Sequence, residues 1–273
     1  MTRLPVAAFV ALAVATIGAF FITQHLKITT PLIAGSPAPV PNAINPTARR
    51  TCLVSTPVGK RLVGFWQMTI SFYLQNRSDN VDVFIVDQNG NIVRTLATGR
   101  YMRGGARPKR TEFIWDGKLD RGSIAPDGTY YVRVSLIHQG RTIPEISDSA
   151  GRPEPIKVLT VAPRPVVTKV TPSVIARGGT SVIIHYRGTE NDRAFIQIYR
   201  TDSPGGPRLV KSFAVKGGRQ EAIWDGEIRR RPAPAGTYLV VLQAIDAACN
   251  VGWSLARLPP VPPFAPPAIL TVG

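Results

Sequence analysis

Cysteine and histidine are scarce in this chain, two of one and three of the other among 273 residues. Two cysteines cannot build the multi-bridge framework of a small secreted domain, and so few histidines leave no zinc-finger spacing. The strings HExxH, GxSxG, GxGxxG and Walker A are also missing. With them go the usual signatures of metalloprotease, serine hydrolase, dinucleotide and nucleotide chemistry. His25 sits beside a hydrophobic run, His138 at a strand end and His185 within an alternating strand pattern, where a sandwich residue explains it better than a base. Asp87, Asn89 and Asn91 echo the opening of a calcium loop, but no distal Glu follows at the required spacing. Glu190 and Asp192 form an acidic pair with no partner in sight. The reading is a non-enzyme with no catalytic residue, no metal site and no cofactor.

Acidic side chains are also in short supply, 17 against 33 Lys plus Arg, for a net charge of +16. The excess is spread evenly: seventeen basic against ten acidic residues in 48–163, and fourteen against seven in 164–273. Two local basic runs stand out. Arg100, Arg103, Arg107, Lys109 and Arg110 fall in one expected loop, and Arg229, Arg230 and Arg231 in another. No RNA-binding strand motif, zinc finger or basic helix accompanies them, which argues against nucleic acid as a partner. Solvated loop charge is the plain reading; the alternative is a pair of loops for an anionic ligand, such as lipid headgroups or wall polymers.

What the chain does have is one long hydrophobic run. Residues 5–22, PVAAFVALAVATIGAFFI, carry no charge, and Thr16 is their only clearly polar side chain. Eighteen such residues make about 27 Å of helix, close to a hydrocarbon core. Residues 1–28 therefore read as an uncleaved signal anchor with a transmembrane helix over about 5–23; cleavage and secretion are the alternative. Arg3 before the run and Lys27 after it give a thin bias toward a cytoplasmic N-terminus and extracytoplasmic C-terminal domains. Residues 29–47, TTPLIAGSPAPVPNAINPT, read as a Pro-rich linker or stalk.

Beyond residue 47 the chain repeats itself. FIWDG at 113–117 returns as AIWDG at 222–226, APDGTYYVRV at 125–134 as APAGTYLVVL at 233–242, and LTV at 159–161 as LTV at 270–272. The offsets are 109, 108 and 111 residues. Within each copy the dominant period is two, with strands expected at 67–74, 81–87, 92–97, 111–115 and 130–137, then at 181–186, 194–200, 209–214, 220–224 and 238–244. Many short strands without an amphipathic helix indicate β-sandwiches, one over 48–163 and one over 164–273. Cys52 and Cys249 would have to bridge different domains, and two unpaired thiols is the simpler expectation.

In the repeated motif, Trp115 and Trp224 are expected to fill cores, Asp116 and Asp225 to bind turn N–H groups, and Gly117 and Gly226 to supply positive φ. Gly128 and Gly236 would bend the chain into strands begun by Tyr130 and Tyr238, whose hydroxyls would reach nearby backbone. The pattern WDG, some ten residues, then GTYxVxV resembles the immunoglobulin-like domain of FlgD, the flagellar hook-capping protein, also seen in Vpr-type secreted subtilases. The resemblance implies an all-β chain: two tandem immunoglobulin-like sandwiches behind one transmembrane helix. It also implies a scaffold, spacer or protein-binding role at the bacterial cell surface, with a protein or cell-envelope partner. An anionic-polymer binding module and a non-catalytic accessory part of a larger enzyme are the alternatives. The hook-capping role does not carry over, because an exported cap has no membrane-spanning helix.

Overall fold

The computed structural model describes residues 4–29, 32–34, 38–56, 59–148, 150–179, 181–189, 193–215, 218–256, 260 and 268–273. The acidic pair Glu190 and Asp192 lies outside the described residues, as does the side chain of His25. The hydrophobic run folds as α1 (Leu4–Thr29). Its side chains are described over 8–22 only, and among the described residues no helix is long and apolar enough to cross a membrane.

Strands make up the rest of the regular structure among the described residues. The first half contains β1 (Ile33–Ala34), β2 (Ala43–Ile44), β3 (Thr51–Thr56), β4 (Gly59–Gly64), β5 (Met68–Leu74) and β6 (Asp79–Asp87). It continues with β7 (Ile92–Met102), β8 (Thr111–Trp115), β9 (Gly128–Leu136), β10 (Arg141–Ile143) and β11 (Ile156–Val158). The second half contains β12 (Val166–Thr171), β13 (Val174–Ile175), β14 (Val182–Arg187), β15 (Arg193–Arg200), β16 (Arg208–Val215) and β17 (Glu221–Trp224). It ends with β18 (Glu227–Ile228), β19 (Arg231–Pro232), β20 (Gly236–Ile245), β21 (Val251–Trp253) and β22 (Ile269–Val272).

Strand order is the same in both halves. A three-stranded sheet β1-β5-β8 faces a larger one, β2-β11-β9-β6-β7 with β10 added on β9. The second half repeats this as β12-β14-β17 and β13-β22-β20-β15-β16, with β21 added on β20. In both, the first strand is split between the sheets, and its second part runs parallel to the last strand: β2 beside β11, β13 beside β22. Alternation explains the packing, since successive side chains of a strand point to opposite faces. In β5, Met68, Ile70, Phe72 and Leu74 are buried while Thr69, Ser71 and Tyr73 are half-buried. Each half closes over its own core, one around Trp115, Phe72 and Ile85 and one around Trp224, Tyr186 and Ile196.

Three expectations need correction. Residues 29–47 are not a featureless stalk: Ile33 pairs with Leu74, and Ala43 and Ile44 are buried beside β11. The first sandwich thus begins before residue 48. Its PVPNAI at 39–44 answers VTPSVI at 170–175, and both contain a cis X-Pro bond, at Val40-Pro41 and Thr171-Pro172. This part of the repeat is masked in the sequence because 23 residues separate β2 from β5 where 6 separate β13 from β14. The excess is the hairpin β3–β4, which has no counterpart among the described residues of the second half.

The LTV match is the second correction. Leu270, Thr271 and Val272 pair with Tyr238, Thr237 and Gly236, whereas the residues facing Tyr130, Thr129 and Gly128 are Ile156, Lys157 and Val158. The closing strands therefore correspond at an offset of 114, and Leu159 to Val161 already leads out of the first sandwich. Third, Arg100 is not a loop residue; it lies in β7 opposite Val81.

Candidate functional site

The WDG turn is built alike in both halves. Trp115 is fully buried, and its indole N–H donates to the Lys118 carbonyl at 2.8 Å; Trp224 does the same to Glu227 at 3.0 Å. Asp116 and Asp225 accept the backbone N–H two residues on, at 3.2 and 3.0 Å. Gly117 and Gly226 have φ of 73° and 72°, a left-handed backbone that favours glycine. Tyr130 and Tyr238 lie 5.3 and 5.9 Å from the tryptophan rings, and their hydroxyls donate to Pro126 and Pro234 at 2.8 and 2.6 Å. Burial raises both phenol pKa values, so the hydroxyls stay donors at neutral pH. Gly128 has no left-handed backbone; at Gly236, with φ of 150°, a Cβ would overlap the Asp202 carboxylate. The indole N–H, the tyrosine hydroxyl and one oxygen of each motif aspartate are thus held by backbone of the turn itself.

Aspartates organise three further loops by one recipe. Asp87 accepts the N–H groups of Asn89 and Asn91, Asp148 those of Ala150 and Arg152, and Asp246 those of Ala248 and Asn250, all at 2.8 to 2.9 Å. The Asn91 side-chain and backbone bonds hold the Asp87 carboxyl below the usual range and close the segment as a tied turn. Among the described residues no cluster of His, Cys, Asp or Glu could hold a metal. The fourth position of each loop is left-handed: Gly90, Gly151 and Cys249, with φ of 79°, 78° and 66°. Cysteine therefore stands where its two sister loops use glycine.

That cysteine marks the joint between the halves. Cys52, on the inserted hairpin, and Cys249 are bonded as a disulfide across 6.2 Å between Cα atoms. Beside them the buried Asn45 amide donates to the Asn250 side chain at 2.6 Å, and Asn250 donates to the Leu159 carbonyl at 2.8 Å. Asp127, in the GTY approach of the first half, accepts the N–H of Thr160 at 2.8 Å and so fixes the exit strand. Gly252 lies so close that a Cβ would overlap the Pro163 carbonyl. Gly252→Ala is therefore expected to force the connecting chain off the second half and to lower its unfolding midpoint. The same change at Gly122, where a Cβ meets nothing, is expected to show only the smaller cost of its positive φ.

At the other end of the first sandwich lies a buried carboxylate. Asp79 is 2 % exposed and accepts N–H bonds from Asn80, His138 and Gln139, with the His138 ring at 2.9 Å. Burial raises its pKa, but the bonds from His138 and Gln139 outweigh this and set it below the ordinary 3.8. A depressed folded-state value means that the stability it contributes is present above pH 3.8 and is lost as pH falls through the folded value. Asp79→Ala, which strands these N–H groups, is expected to cost about 2–3 kcal/mol at pH 7, and Asp79→Asn to flatten acid unfolding below pH 4. Urea titrations across that range read both. His185 meets Glu221 at 3.0 Å on the outer face of the smaller sheet.

The basic runs differ in kind. In the first, Arg110 donates to Ser71 at 2.8 Å and the Arg100 guanidinium lies 5.7 Å from the Phe113 ring centre. With Tyr101, Arg103, Lys109, Thr111 and Glu112 they line a shallow depression; Arg107 is exposed nearby in the loop but does not line it. In the second, Ile228 pairs with Arg231, so Arg229 and Arg230 form a two-residue hairpin tip with φ of 52° and 64°. That is a type I′ turn, normally Asn-Gly, and a non-glycine residue there costs roughly 1 kcal/mol.

Residues 62–140, within the first sandwich, match the family described as FlgD Ig-like domain. The basal-body rod modification protein FlgD of Escherichia coli (strain K12) is 40% identical over 67 residues, 24% of this chain and 27% of that protein. Its namesake from Salmonella typhimurium is 36% identical over the same length and shares. The chain thus spans about a quarter of the length of these curated relatives. Among solved structures, dimeric latent PorU from Porphyromonas gingivalis aligns with 84% of this chain and 18% of its own, at 15% identity and a TM-score of 0.29. A marsupial T cell receptor aligns with 68% of this chain and 66% of its own, at 10% identity and a TM-score of 0.27.

Proposed function

We propose that this protein is a membrane-anchored, extracytoplasmic spacer that presents two immunoglobulin-like sandwiches, locked into one stiff unit, to a protein partner of the cell envelope. The observation that carries this reading is the joint. The disulfide between an inserted hairpin and the far half suits an oxidising compartment, since such bonds are rare in the cytosol. Together with the Asn45–Asn250 bond it removes the hinge motion that a short linker would otherwise leave.

The helix supports the anchoring. Among the side chains described, 8–22, Phe9, Val10, Leu12, Val14, Ile17, Phe20, Phe21 and Ile22 are all exposed, and the polar Thr16 donates back to the Leu12 carbonyl at 2.8 Å. A helix apolar on every side needs an apolar surrounding, and the sandwiches do not supply one. The match to a FlgD immunoglobulin-like domain supports a structural or interaction role rather than catalysis. The second sandwich rests on its identical strand order and on the duplicated tryptophan turn.

Intact cells treated with a membrane-impermeant reductant and then an impermeant maleimide test the reading. Labelling of both cysteines before lysis, on protein that stays with the membrane after alkaline carbonate washing, is the expected result. Labelling only after lysis would reverse the topology, and release by carbonate would remove the anchor.

A further inference from the structure

We infer that the end of the second sandwich farthest from the joint carries an arginine cradle for phosphate groups of an anionic polymer, formed by Arg177, Arg229 and Arg231 with Arg230 at the rim. The β20 strand locates it. Its C-terminal end runs into the joint loop at Asp246, while its first residue, Gly236, follows the hairpin β18–β19 by a few positions. Ten residues of strand place the two ends about 30 Å apart. The loop after β13, which carries Arg177, joins the hairpin at that same end: a Cβ on Gly178 would touch Pro232, and the N–H of Arg177 donates to the Gly273 carbonyl. Arg177, Ile228, Arg229, Arg231, Pro232 and Pro234 enclose an open depression of about 620 Å³.

Three observations separate this cradle from ordinary surface charge. Arg177, Arg229, Arg230 and Arg231 are exposed and make no ion pair among the described residues, whereas Arg200 nearby is held by Asp202 at 2.7 Å. The tip places two arginines in left-handed backbone, against local preference, and such strain is retained where the side chains are needed. The first sandwich makes the corresponding turn with one residue more: between Lys118 and Ile124 it has Leu119, Asp120, Arg121, Gly122 and Ser123, with glycine, Gly122, in the left-handed position at φ of 84° and Asp120 accepting from Thr95 at 2.9 Å. Where the first turn puts glycine in the left-handed position and carries Asp120 beside Arg121, the second puts arginine there and carries three arginines in a row, with Glu227 before them. Guanidinium groups bind phosphate oxygens in bidentate fashion, and several around one depression suit neighbouring phosphates better than a single carboxylate. The cradle belongs to the second half alone, so the inference does not depend on the anchoring reading.

The test is calorimetric titration of the full chain in an uncharged detergent with sodium tripolyphosphate, and separately with poly-L-glutamate. Wild type is expected to bind tripolyphosphate, more weakly as salt rises. Arg177→Ser/Arg229→Ser/Arg231→Ser is expected to lower that affinity at least tenfold, while Arg121→Ser leaves it unchanged. Arg229→Asn/Arg230→Gly, which installs the favoured turn pair, is expected to keep or raise the unfolding midpoint while binding falls, and so rules out misfolding as the cause. Unchanged binding in the triple variant, an equal loss in Arg121→Ser, or poly-L-glutamate bound as tightly as tripolyphosphate would each overturn the proposal.

Discussion

Replacing Cys52 and Cys249 with serine is expected to split one unfolding transition into two and to remove up to about 5 kcal/mol, the chain-entropy value for a closed loop of 197 residues. The bond ties β3 in the first half to the loop after β20 in the second, so while it holds, neither half unfolds without constraining the other. Without it, the halves remain joined by the Asn45–Asn250 and Asn250–Leu159 bonds and by the chain at Thr160–Pro163. The left-handed backbone at Cys249 adds a corollary: Cys249→Gly with Cys52→Ser should be more stable than the double serine, because glycine is what the sister loops at Gly90 and Gly151 use. Calorimetry of oxidised wild type and both variants reads the effect. A single transition with an unchanged midpoint in the double serine would show that the disulfide does not couple the halves.

Trp115→Ala and Trp224→Ala are each expected to cost about 3–5 kcal/mol, and nearly the same amount as one another. Each indole is fully buried, packs against a tyrosine ring and gives its N–H to a carbonyl three residues on. Truncation leaves a cavity and frees that carbonyl. Because the two cores are separate, each substitution should lower one transition of the disulfide-free protein and spare the other. Tryptophan fluorescence with denaturant separates the cases. A large loss at Trp115 with little at Trp224 would mean that the second copy keeps the turn without its structural role.

Much of this architecture is legible in the amino-acid order because a strand with one buried face imposes period two. The central strands β5, β6 and β9 and the edge strand β8, with β14, β15 and β20, lie where alternation places them, within a few residues. What escaped was short or edge structure. The segments β1, β2, β12 and β13 have two to six residues each and sit among prolines, where no period can show. The hairpin β3–β4 alternates poorly, with Leu53 and Leu62 both exposed. It also displaces the N-terminal part of the repeat, which made 29–47 read as a stalk. The LTV coincidence shows the opposite failure: a string match of three residues outweighed register, and only pairing with Tyr130 and Tyr238 corrects it.

At the functional level, the WDG and GTY residues were recognisable because turn chemistry demands those residue types, and the structure places them in turns that satisfy themselves. The partnership of Cys52 with Cys249 was not legible. A contact between a hairpin and a loop 197 residues away leaves no local pattern, although the Asp-x-x-x-Asn spacing at 246–250, matched at 87–91, marks the loop that holds Cys249. Arg177 was missed for the same reason, since only tertiary structure brings it to the Arg229–Arg231 hairpin.

The central claim is that two like sandwiches are locked together outside the cytoplasm, and one measurement meets it directly. Thiols are blocked in intact cells before lysis, the protein is digested with trypsin without reduction, and peptides containing Cys52 and Cys249 are identified by mass. The account predicts one peptide pair joined through Cys52 and Cys249, with neither cysteine alkylated. Recovery of both as separate, alkylated peptides would contradict it.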